Sequence, residues 1–339
     1  MGKKKKKSLP TVSVCTPTFN RRPFIPMMLR CFDLQTYPKN LVEWIIIDDG
    51  TDPIEDLVKD HPNIKYFKYD TKMSLGKKRN LCHEKSSGDI LLYMDDDDYY
   101  PPTRISHGVS MLMKYPSFKI AGSGILYMHF PHLDKGKNIV KFGPYRENHA
   151  TAATFVFKRE LLQNSRYEDE KALAEETHFL NNWNTPLLQL KPEETIFCFS
   201  HEHNSFDKKI LLKNGENQHV KFTDRMVEEF VHDDEIRDFF MNKISQELQN
   251  YEPGEPKNKP DVVEQTEQLI VERKKKLDAL RPFLDFKMNN GSLVKMNRHE
   301  IVGKCADHLR RGQGNTVIQI INDLLNVIKD LQNQVDTTT

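Results

Sequence analysis

Residues 88–98 read GDILLYMDDDD and decide the fold class of this chain. The segment from Ile90 to Met94 is apolar without interruption, which is typical of a strand buried on both faces of a parallel sheet. It stops at four consecutive aspartates, Asp95 to Asp98. Polar residues in that position lie in the ligand crevice of an open α/β sheet, beyond the carboxyl ends of the strands. The stretch therefore predicts an α/β fold with an acidic site at the end of one strand.

The segments around this stretch alternate between short β-rich runs and helical patterns, the order that gives a parallel sheet flanked by helices. The first strand, Thr11 to Cys15, is expected to end in a turn at 16–18, and the second, Glu43 to Ile47, stops at Asp48-Asp49-Gly50. We expect the acidic residues after these strands to meet in one cleft. Further strands are predicted at 64–69, 120–130, 154–157 and 195–200, and helices at 24–34, 76–85 and 173–183.

After Asp207 the sequence changes to charged helical segments. A helix is predicted from Asp234 to Leu248, which has apolar residues along one face, and others at 262–280 and 317–335. Three prolines and a glycine mark a break between residues 251 and 260. The predicted divisions are a disordered basic tail at 1–9, a catalytic domain at 10–207, a helical continuation at 208–250, a linker or loop at 251–260, and a helical C-terminal module at 261–339.

The last predicted helix has a continuous apolar face. Val317, Leu324 and Leu331 lie seven residues apart, and further aliphatic residues flank them. The face predicts either packing within the C-terminal module or self-association into a homo-oligomer through residues 315–336. Fewer than four heptads do not decide between the two.

The composition excludes several classes of function. The 339 residues are 37% hydrophobic and 29% charged with a formal net charge of +1, which is enough apolar material for a core and too balanced for a dedicated nucleic-acid binder. No apolar stretch approaches the ~20 residues that cross a bilayer, and no signal-peptide core is present. We therefore expect a soluble, cytoplasmic protein. Lys3 to Lys7 predict a solvated tail, or else a segment attracted to anionic membranes or nucleic acid.

The five cysteines are odd in number and lack CxxC spacing. Neither a disulfide framework nor a zinc site is indicated. We expect them to be small buried apolar residues or free thiols.

Four aspartates in succession have no obvious structural purpose, because like charges repel. A hard divalent cation would explain them, since Mg²⁺ and Mn²⁺ prefer carboxylate oxygen and commonly bridge to phosphate oxygens. The alternative is a solvated acidic turn.

Four blocks of sequence sharpen this interpretation. They are VSVCTPTFNR at 12–21, WIIIDDGTD at 44–52, GKKRN at 76–80 and GDILLYMDDDD at 88–98. In this order, and with Pro102 at a matching spacing, they resemble glycosyltransferase family 2, a large family of inverting enzymes with the GT-A fold. The resemblance spans residues 10–207 and does not reach the C-terminal third. It implies a nucleotide-sugar donor, with a UDP-sugar favoured, and a glycan or other hydroxyl acceptor.

The resemblance also implies roles for single residues. Phe19 would lie against the nucleobase, and Asp49, with Asp48 as the fallback, would accept a hydrogen bond from it. Asp95 and Asp97 would be the DxD pair, with Asp97 on the metal and Asp95 on the metal or the ribose. The donor-binding residues implied in this way are Pro17, Phe19, Asn20, Asp48, Asp49, Arg79, Asp95, Asp96 and Asp97. Lys77 and Lys78 would either add positive charge there or form a solvated helix face.

Inverting transfer also needs a base that takes the proton of the acceptor hydroxyl. Family members carry an acidic pair, commonly Glu-Asp, at a helix start for this task, and Glu175 and Glu176 occupy that place. The second residue is Glu rather than Asp, so either could be the base, and we favour Glu176. Alternatively, both acids complement the helix dipole.

Residues 200–207 read SHEHNSFD and resemble a segment in which a histidine completes the metal shell in some family members. His201 fits the alignment better than His203, and a structural role is the alternative for each. A histidine ligand would favour Mn²⁺ over Mg²⁺.

Three other classes of protein compete with this interpretation. A nucleotidyl or phosphoryl transferase needs a phosphate cradle, and the sequence contains no GxxxxGK[ST]. A Rossmann oxidoreductase needs GxGxxG after the first strand, where this chain has Pro17-Thr18-Phe19-Asn20. A noncatalytic sugar-nucleotide-binding scaffold is compatible with the fold, but acids at all expected places argue against it.

Overall fold

The computed structural model describes residues 8–213, 215–279, 284–287, 293–296 and 298–322. The chain forms two units, Met1–Thr266 and Glu267–Thr339. The lysine run at 3–7 and residues 323–336 of the predicted self-association helix lie outside the described residues, while residues 314–322 are helical.

A seven-stranded sheet forms the centre of the first unit, in the order β3-β2-β1-β4-β8-β5-β9. Strands β1 to β4 run parallel to one another, and β8 is antiparallel to both of its neighbours. A smaller sheet has the order β10-β6-β7-β11. The strands are β1 (Val12–Thr18), β2 (Val42–Asp48), β3 (Ile64–Lys68), β4 (Ile90–Tyr93), β5 (Ile120–Gly122), β6 (Leu126–His129), β7 (Ile139–Phe142), β8 (Val156–Lys158), β9 (Leu187–Gln189), β10 (Phe197–Phe199) and β11 (Val220–Thr223).

Helices cover this sheet, so the predicted α/β class is confirmed. The helices of the first unit are α1 (Ile25–Asp33), α2 (Glu55–Val58), α3 (Leu75–Lys85), α4 (Arg104–Lys114), α5 (Glu176–Phe179), α6 (Asp234–Asp238) and α7 (Ile244–Gln249); α8 (Pro260–Ala279) begins in the first unit and ends in the second. A π-helical turn at Phe239–Lys243 joins α6 to α7, so the helix predicted from Asp234 to Leu248 is continuous. In the second unit, β12 (Leu284–Lys287) pairs antiparallel with β13 (Leu293–Met296), and α9 spans Arg298–Arg310.

The central strands are buried on both faces, as their apolar sequences predicted. Along β2, Trp44 and Ile46 belong to one apolar cluster and Ile45 and Ile47 to another. Successive side chains of a strand point to opposite faces, so the two clusters lie on the two sides of the sheet. This double burial leaves the strand ends as the places where polar groups meet water.

Two predicted strand boundaries were wrong. Residues 16–18 continue β1 instead of forming a turn, because the ladder with β2 extends to Thr18 opposite Asp48. Residues 120–130 form two strands in different sheets. The chain changes sheet at Gly124, where a Cβ would lie 2.6 Å from the His149 carbonyl oxygen, so only glycine allows this close approach.

The helix predicted at 173–183 was also wrong in extent, because only α5 forms. Asn181, Asn182 and Trp183 have φ values of 49°, 53° and 68°, in the left-handed region. Such residues cannot continue a right-handed helix. The short helix nevertheless begins at Glu176, as the acidic pair predicted.

All five cysteines are free, and four of them are buried, which confirms the expectation for them. Among the described helices, none has the length and apolar character needed to cross a membrane.

Candidate active site

The ends of β1, β2 and β4 lie side by side because these strands are parallel neighbours. Phe19 follows β1, Asp49 follows β2, and the aspartates at 95–98 follow β4. Open α/β sheets bind their ligands at this edge. We therefore take it as the candidate active site.

Two arginines pair with the aspartate cluster. Arg21 Nη2 lies 3.0 Å from Asp97 Oδ2, and Arg21 Nε lies 3.4 Å from Asp96 Oδ1. Arg79 Nη1 lies 3.6 Å from Asp95 Oδ1. Both arginines are buried, so these attractions are weakly screened by water.

The net effect at three of the four aspartates is that burial disfavours the ionised form. Burial raises the pKa of Asp96 to about 7 and that of Asp98 to about 6. Burial also raises the pKa of Asp95 above its usual value, since the opposing effect of Arg79 is not enough. Asp97 differs: burial acts in the same direction, but Arg21 and His201 hold its pKa well below the usual range. The site can accept a further cation.

His201 lies beside Asp97, with Nε2 3.2 Å from Asp97 Oδ2. Asn204 orients the ring, because its Oδ1 accepts a hydrogen bond from the backbone N–H of His201 at 2.9 Å and its amide nitrogen then faces Nε2 at 2.8 Å. Nε2 therefore lies between the Asn204 amide, which donates, and the Asp97 carboxylate, which accepts. Burial lowers the pKa of His201 to about 3, so the imidazole is neutral, as a metal ligand must be.

His203 has different surroundings. Its carbonyl oxygen accepts a hydrogen bond from Arg21 Nη1 at 2.7 Å, and its ring lies beside Tyr251 and Gly254. Of the two candidate histidines, only His201 is paired with an aspartate of the cluster.

The site fits a divalent cation that is shared with a substrate. Within the described ranges, no three His, Cys, Asp or Glu side chains enclose a metal position by themselves, but Mg²⁺ is usually held by one or two carboxylates together with substrate phosphates and water. The 3.2 Å between Asp97 Oδ2 and His201 Nε2 is near the ~3 Å between adjacent ligands of an octahedral ion. Asp95 Oδ1 is buried and forms no hydrogen bond with the described residues.

Helix α3 presents a polar face to the interior. Lys78 Nζ donates hydrogen bonds to Asp49 Oδ1 at 2.8 Å and to the Thr18 carbonyl oxygen at 3.0 Å. A solvated face, the alternative for the two lysines, is therefore wrong for Lys78, whereas Lys77 is exposed. Arg79 lies one residue further on and reaches both Asp95 and Glu175. Through these two residues, α3 connects Asp49 at the end of β2 to Asp95 at the end of β4.

The two acids after β2 have separate tasks. Asp48 closes its own loop, because Oδ1 accepts from Gly50 N at 2.8 Å while Oδ2 accepts from Ile54 N at 3.2 Å and from Tyr66 Oη at 2.7 Å. Asp49 is anchored by Lys78 and by the backbone N–H of Met73. The Asp49 side chain has no exposed surface, so the carboxylates of both acids are occupied within the protein.

The residues at the end of β1 are buried, and their side chains contact other parts of the protein. Lys72 Nζ lies 5.3 Å from the Phe19 ring centroid, and Pro17 is buried within β1 opposite Ile47. Asn20, at φ 52°, uses its side chain within the protein: Oδ1 accepts from the backbone N–H of Asp52 at 3.0 Å. Asn20 therefore shapes the loop, while the Phe19 ring is buried with Lys72 and Lys78 over it.

The two acids at the start of α5 also differ in their contacts. Glu175 is buried, and its Oε1 accepts a hydrogen bond from Arg79 Nε at 2.9 Å. Glu176 is half-buried and stands outside this pair. Burial, reinforced by the charge of Glu175, raises the pKa of Glu176 to about 8. A carboxylate with a raised pKa is a strong proton acceptor at mildly alkaline pH.

Sequence reasoning assigned no role to Arg21 or Lys208, although both touch the aspartate cluster. Lys208 Nζ lies 3.5 Å from Asp98 Oδ1. Arg21 closes the first quoted block, so its position after a buried strand was an available signal. Lys208 lies in an unremarkable charged stretch, and no sequence signal separates it from its neighbours.

Residues 13–166 match the protein family described as Glycosyl transferase family 2. This part of the chain is similar to that family. The family 2 segment is just under half of the 339-residue chain. It contains β1, β2, β4 and all four aspartates, whereas Glu176 and His201 follow it.

Two curated relatives have named activities. GalNAc(5)-diNAcBac-PP-undecaprenol beta-1,3-glucosyltransferase of Campylobacter jejuni is 28% identical over 194 residues, which are 51% of this chain and 60% of that protein. Poly(ribitol-phosphate) beta-N-acetylglucosaminyltransferase TarS of Staphylococcus aureus is 32% identical over 92 residues, 26% of this chain and 16% of TarS. The match to this chain thus spans less than two thirds of either relative. A crystal structure of residues 1–349 of S. aureus TarS has a TM-score of 0.44 and 19% identity, covering 57% of this chain and 61% of that one.

Proposed function

We propose that this protein is a metal-dependent, inverting glycosyltransferase that moves a sugar from a nucleotide-diphosphate sugar to a hydroxyl group of a glycan or another acceptor. The observation that carries the proposal is the buried aspartate cluster after β4, in which Asp97 lies 3.2 Å from a neutral His201 and Asp95 Oδ1 has no hydrogen bond among the described residues. The similarity of residues 13–166 to family 2 supports sugar transfer. The names of the two relatives specify glucose and N-acetylglucosamine as the sugars that they transfer.

The donor would lie across the ends of β1, β2 and β4. Phe19 would contact the nucleobase, and Asp49, the acid that the family resemblance favours, would accept a hydrogen bond from it. We propose a UDP-sugar as the donor, in keeping with the family resemblance of the four sequence blocks.

The diphosphate end of the donor would face Asp95 and Asp97. A divalent cation, Mn²⁺ or Mg²⁺, held by Asp97 and His201 with Asp95 beside it, would supply Lewis-acid stabilisation of the departing diphosphate. Arg79 lies between Asp95 and Glu175 and fixes the distance between the donor residues and the start of α5.

Glu176 would act as the base. It accepts the proton of the acceptor hydroxyl while that oxygen forms a bond to the anomeric carbon and the bond from this carbon to the diphosphate breaks. Attack from the face opposite the diphosphate inverts the anomeric configuration. Glu175 is held by Arg79 and is a positioning residue.

A donor screen by thermal unfolding tests this proposal. With Mn²⁺ present, UDP-, GDP- and dTDP-sugars are compared; a ligand at ~100 times its Kd should stabilise the protein by ~2.7 kcal/mol. Asp97→Asn should abolish the stabilisation that depends on metal. If no nucleotide-sugar stabilises the protein and a nucleoside triphosphate does, a nucleotidyl transferase becomes the better proposal.

A further inference from the structure

Residues 251–259, here termed the strap, pack against the loops of the donor site from a distant part of the chain. Tyr251 Oη donates a hydrogen bond to Asp52 Oδ2 at 2.8 Å, and the Pro253 carbonyl oxygen accepts one from Asn20 Nδ2 at 2.8 Å. Both partners belong to loops that follow β1 and β2. The segment predicted as a linker or loop is therefore a loop fixed at the edge of the sheet where the donor site lies.

The strap approaches these loops most closely at Gly254. A Cβ at this position would lie 2.7 Å from His203 Nδ1 and 2.9 Å from the Asn20 carbonyl oxygen. Any side chain would have to displace one of these groups. The strap is therefore packed into the surroundings of the site and does not merely pass over its surface.

Lys259 ends the strap and is buried, with 4% of its surface exposed. An ammonium group has three donors, and within the described part of the chain Nζ makes one hydrogen bond, to Ser205 Oγ at 3.0 Å. Burial, reinforced by the charge of Arg21, lowers the pKa of Lys259 to about 6, while Asp97 and Asp96 act in the opposite direction. A buried ammonium with unfilled donors is costly unless an anion completes its surroundings.

We propose that Lys259 binds the diphosphate of the nucleotide-sugar donor, so that the strap, which lies outside the family 2 segment, is part of the donor site. The inference rests on the proposed function. Phosphate oxygens are suited to an ammonium partner, because they accept charge-assisted hydrogen bonds. Lys259 donates a hydrogen bond to Ser205 in the loop that also holds His201 beside Asp97, and a phosphate bound there would favour the charged form of the lysine.

Binding of two probes, UDP and uridine, tests the assignment in the full chain with Mg²⁺ present. Lys259→Met keeps the length of the side chain and removes the charge. It should weaken UDP binding by on the order of tenfold to a hundredfold, the range for hydrogen bonds to charged groups, and leave uridine binding unchanged, because uridine has no phosphate. The matched control is Lys257→Met on the same strap, whose side chain is exposed and pairs with Glu255 at 2.7 Å; it should bind both probes like the wild type.

Three outcomes overturn the inference or the proposal beneath it. Unchanged UDP affinity in Lys259→Met shows that the lysine does not contact the diphosphate. Equal losses of affinity for UDP and for uridine show that Lys259 only supports the fold. If the methionine variant is unstable, Lys259→Gln, measured below its unfolding temperature, repeats the comparison. A wild-type protein that binds neither UDP nor another nucleoside diphosphate refutes the proposed function itself, whatever the variants do.

Discussion

Glu175 and Glu176 are adjacent in the chain, but only Glu176 is free to accept a proton. Glu176→Gln keeps the shape of the side chain and removes the base, so transfer should fall by ~100-fold or more while donor affinity persists. Glu175→Gln should retain more activity but unfold more readily, because it weakens a buried pair with Arg79 whose loss costs about 3–5 kcal/mol when one partner is removed outright. Initial rates, donor titrations and melting curves separate the two effects. A fully active Glu176→Gln together with an inactive Glu175→Gln would move the role by one residue.

The raised pKa of Glu176, about 8, predicts a pH dependence. The base must be deprotonated, so kcat/KM should rise by about tenfold per pH unit below the pKa and level off above it. Asp96, whose pKa is raised to about 7, titrates in the same range. The residual activity of Glu176→Gln therefore serves as the control: any rise that it retains belongs to another group. A flat wild-type profile across this range would contradict the assignment.

Substitution of each of the two histidines in turn tests which one binds the metal. His201 is paired with Asp97 and His203 is not, so His201→Ala should raise the Mn²⁺ concentration required for activity by about 10–100-fold. His203→Ala should leave the Mn²⁺ titration unchanged. The reverse order of effects would assign the ligand role to His203.

The residues of the site differ in how far the sequence could predict them. Asp97 and Asp49 follow buried strands, and their neighbours in sequence form blocks that could be matched to a family. The sequence could not distinguish the role of Asp48 from that of Asp49, because the Tyr66 hydroxyl that donates a hydrogen bond to Asp48 lies on another strand. Lys259 had no signal at all, since Lys257 has similar neighbours in sequence and is exposed; only the folded chain distinguishes them.

At the level of elements, the start of α3 must approach the loop that leads to the acidic pair. A Cβ at Gly76 would lie 2.1 Å from the Glu168 carbonyl oxygen. Gly76→Ala should therefore push α3 and this loop apart, lowering the free energy of unfolding by about 1–3 kcal/mol and reducing transfer, because Arg79 and Glu175 lie on the two separated parts. Urea denaturation and initial rates are the measurements.

Gly303 in α9 is the matched control, because a Cβ there meets nothing within 4 Å. Gly303→Ala should be neutral or stabilise its helix by about 0.5–1 kcal/mol. Wild-type stability in Gly76→Ala would show that the close approach is not needed.

The strands of this chain were easier to predict from the sequence than its helices. The strands of the central sheet carry unbroken apolar runs, and their positions are decided by burial on both faces. The helix expected at 173–183 has good helix formers, yet Asn181 to Trp183 adopt left-handed conformations. The conformation of this loop depends on tertiary contacts, including the Trp183 ring stacked on His149 with ring centroids 4.5 Å apart. A helix propensity summed along the sequence does not include such contacts.

In the whole molecule, every residue assigned to the site belongs to the first unit, Met1–Thr266. Phe19, Asp49 and the aspartate cluster lie in the segment that matches family 2, while the proposed base Glu176, His201 and the strap follow it. The central claim is therefore that these parts act together as one metal-dependent, inverting transferase.

Turnover of a nucleotide-sugar by the full chain tests this claim most directly. Release of nucleoside diphosphate is followed with Mn²⁺ or Mg²⁺, after removal of metal by EDTA and after its return, and the anomeric configuration of the product is read by NMR in the Mg²⁺ reaction. We predict turnover that EDTA abolishes and added metal restores, with a product of configuration opposite to that of the donor. Full activity in excess EDTA would contradict the metal site, and a retained configuration would contradict Glu176 as the base of a single displacement.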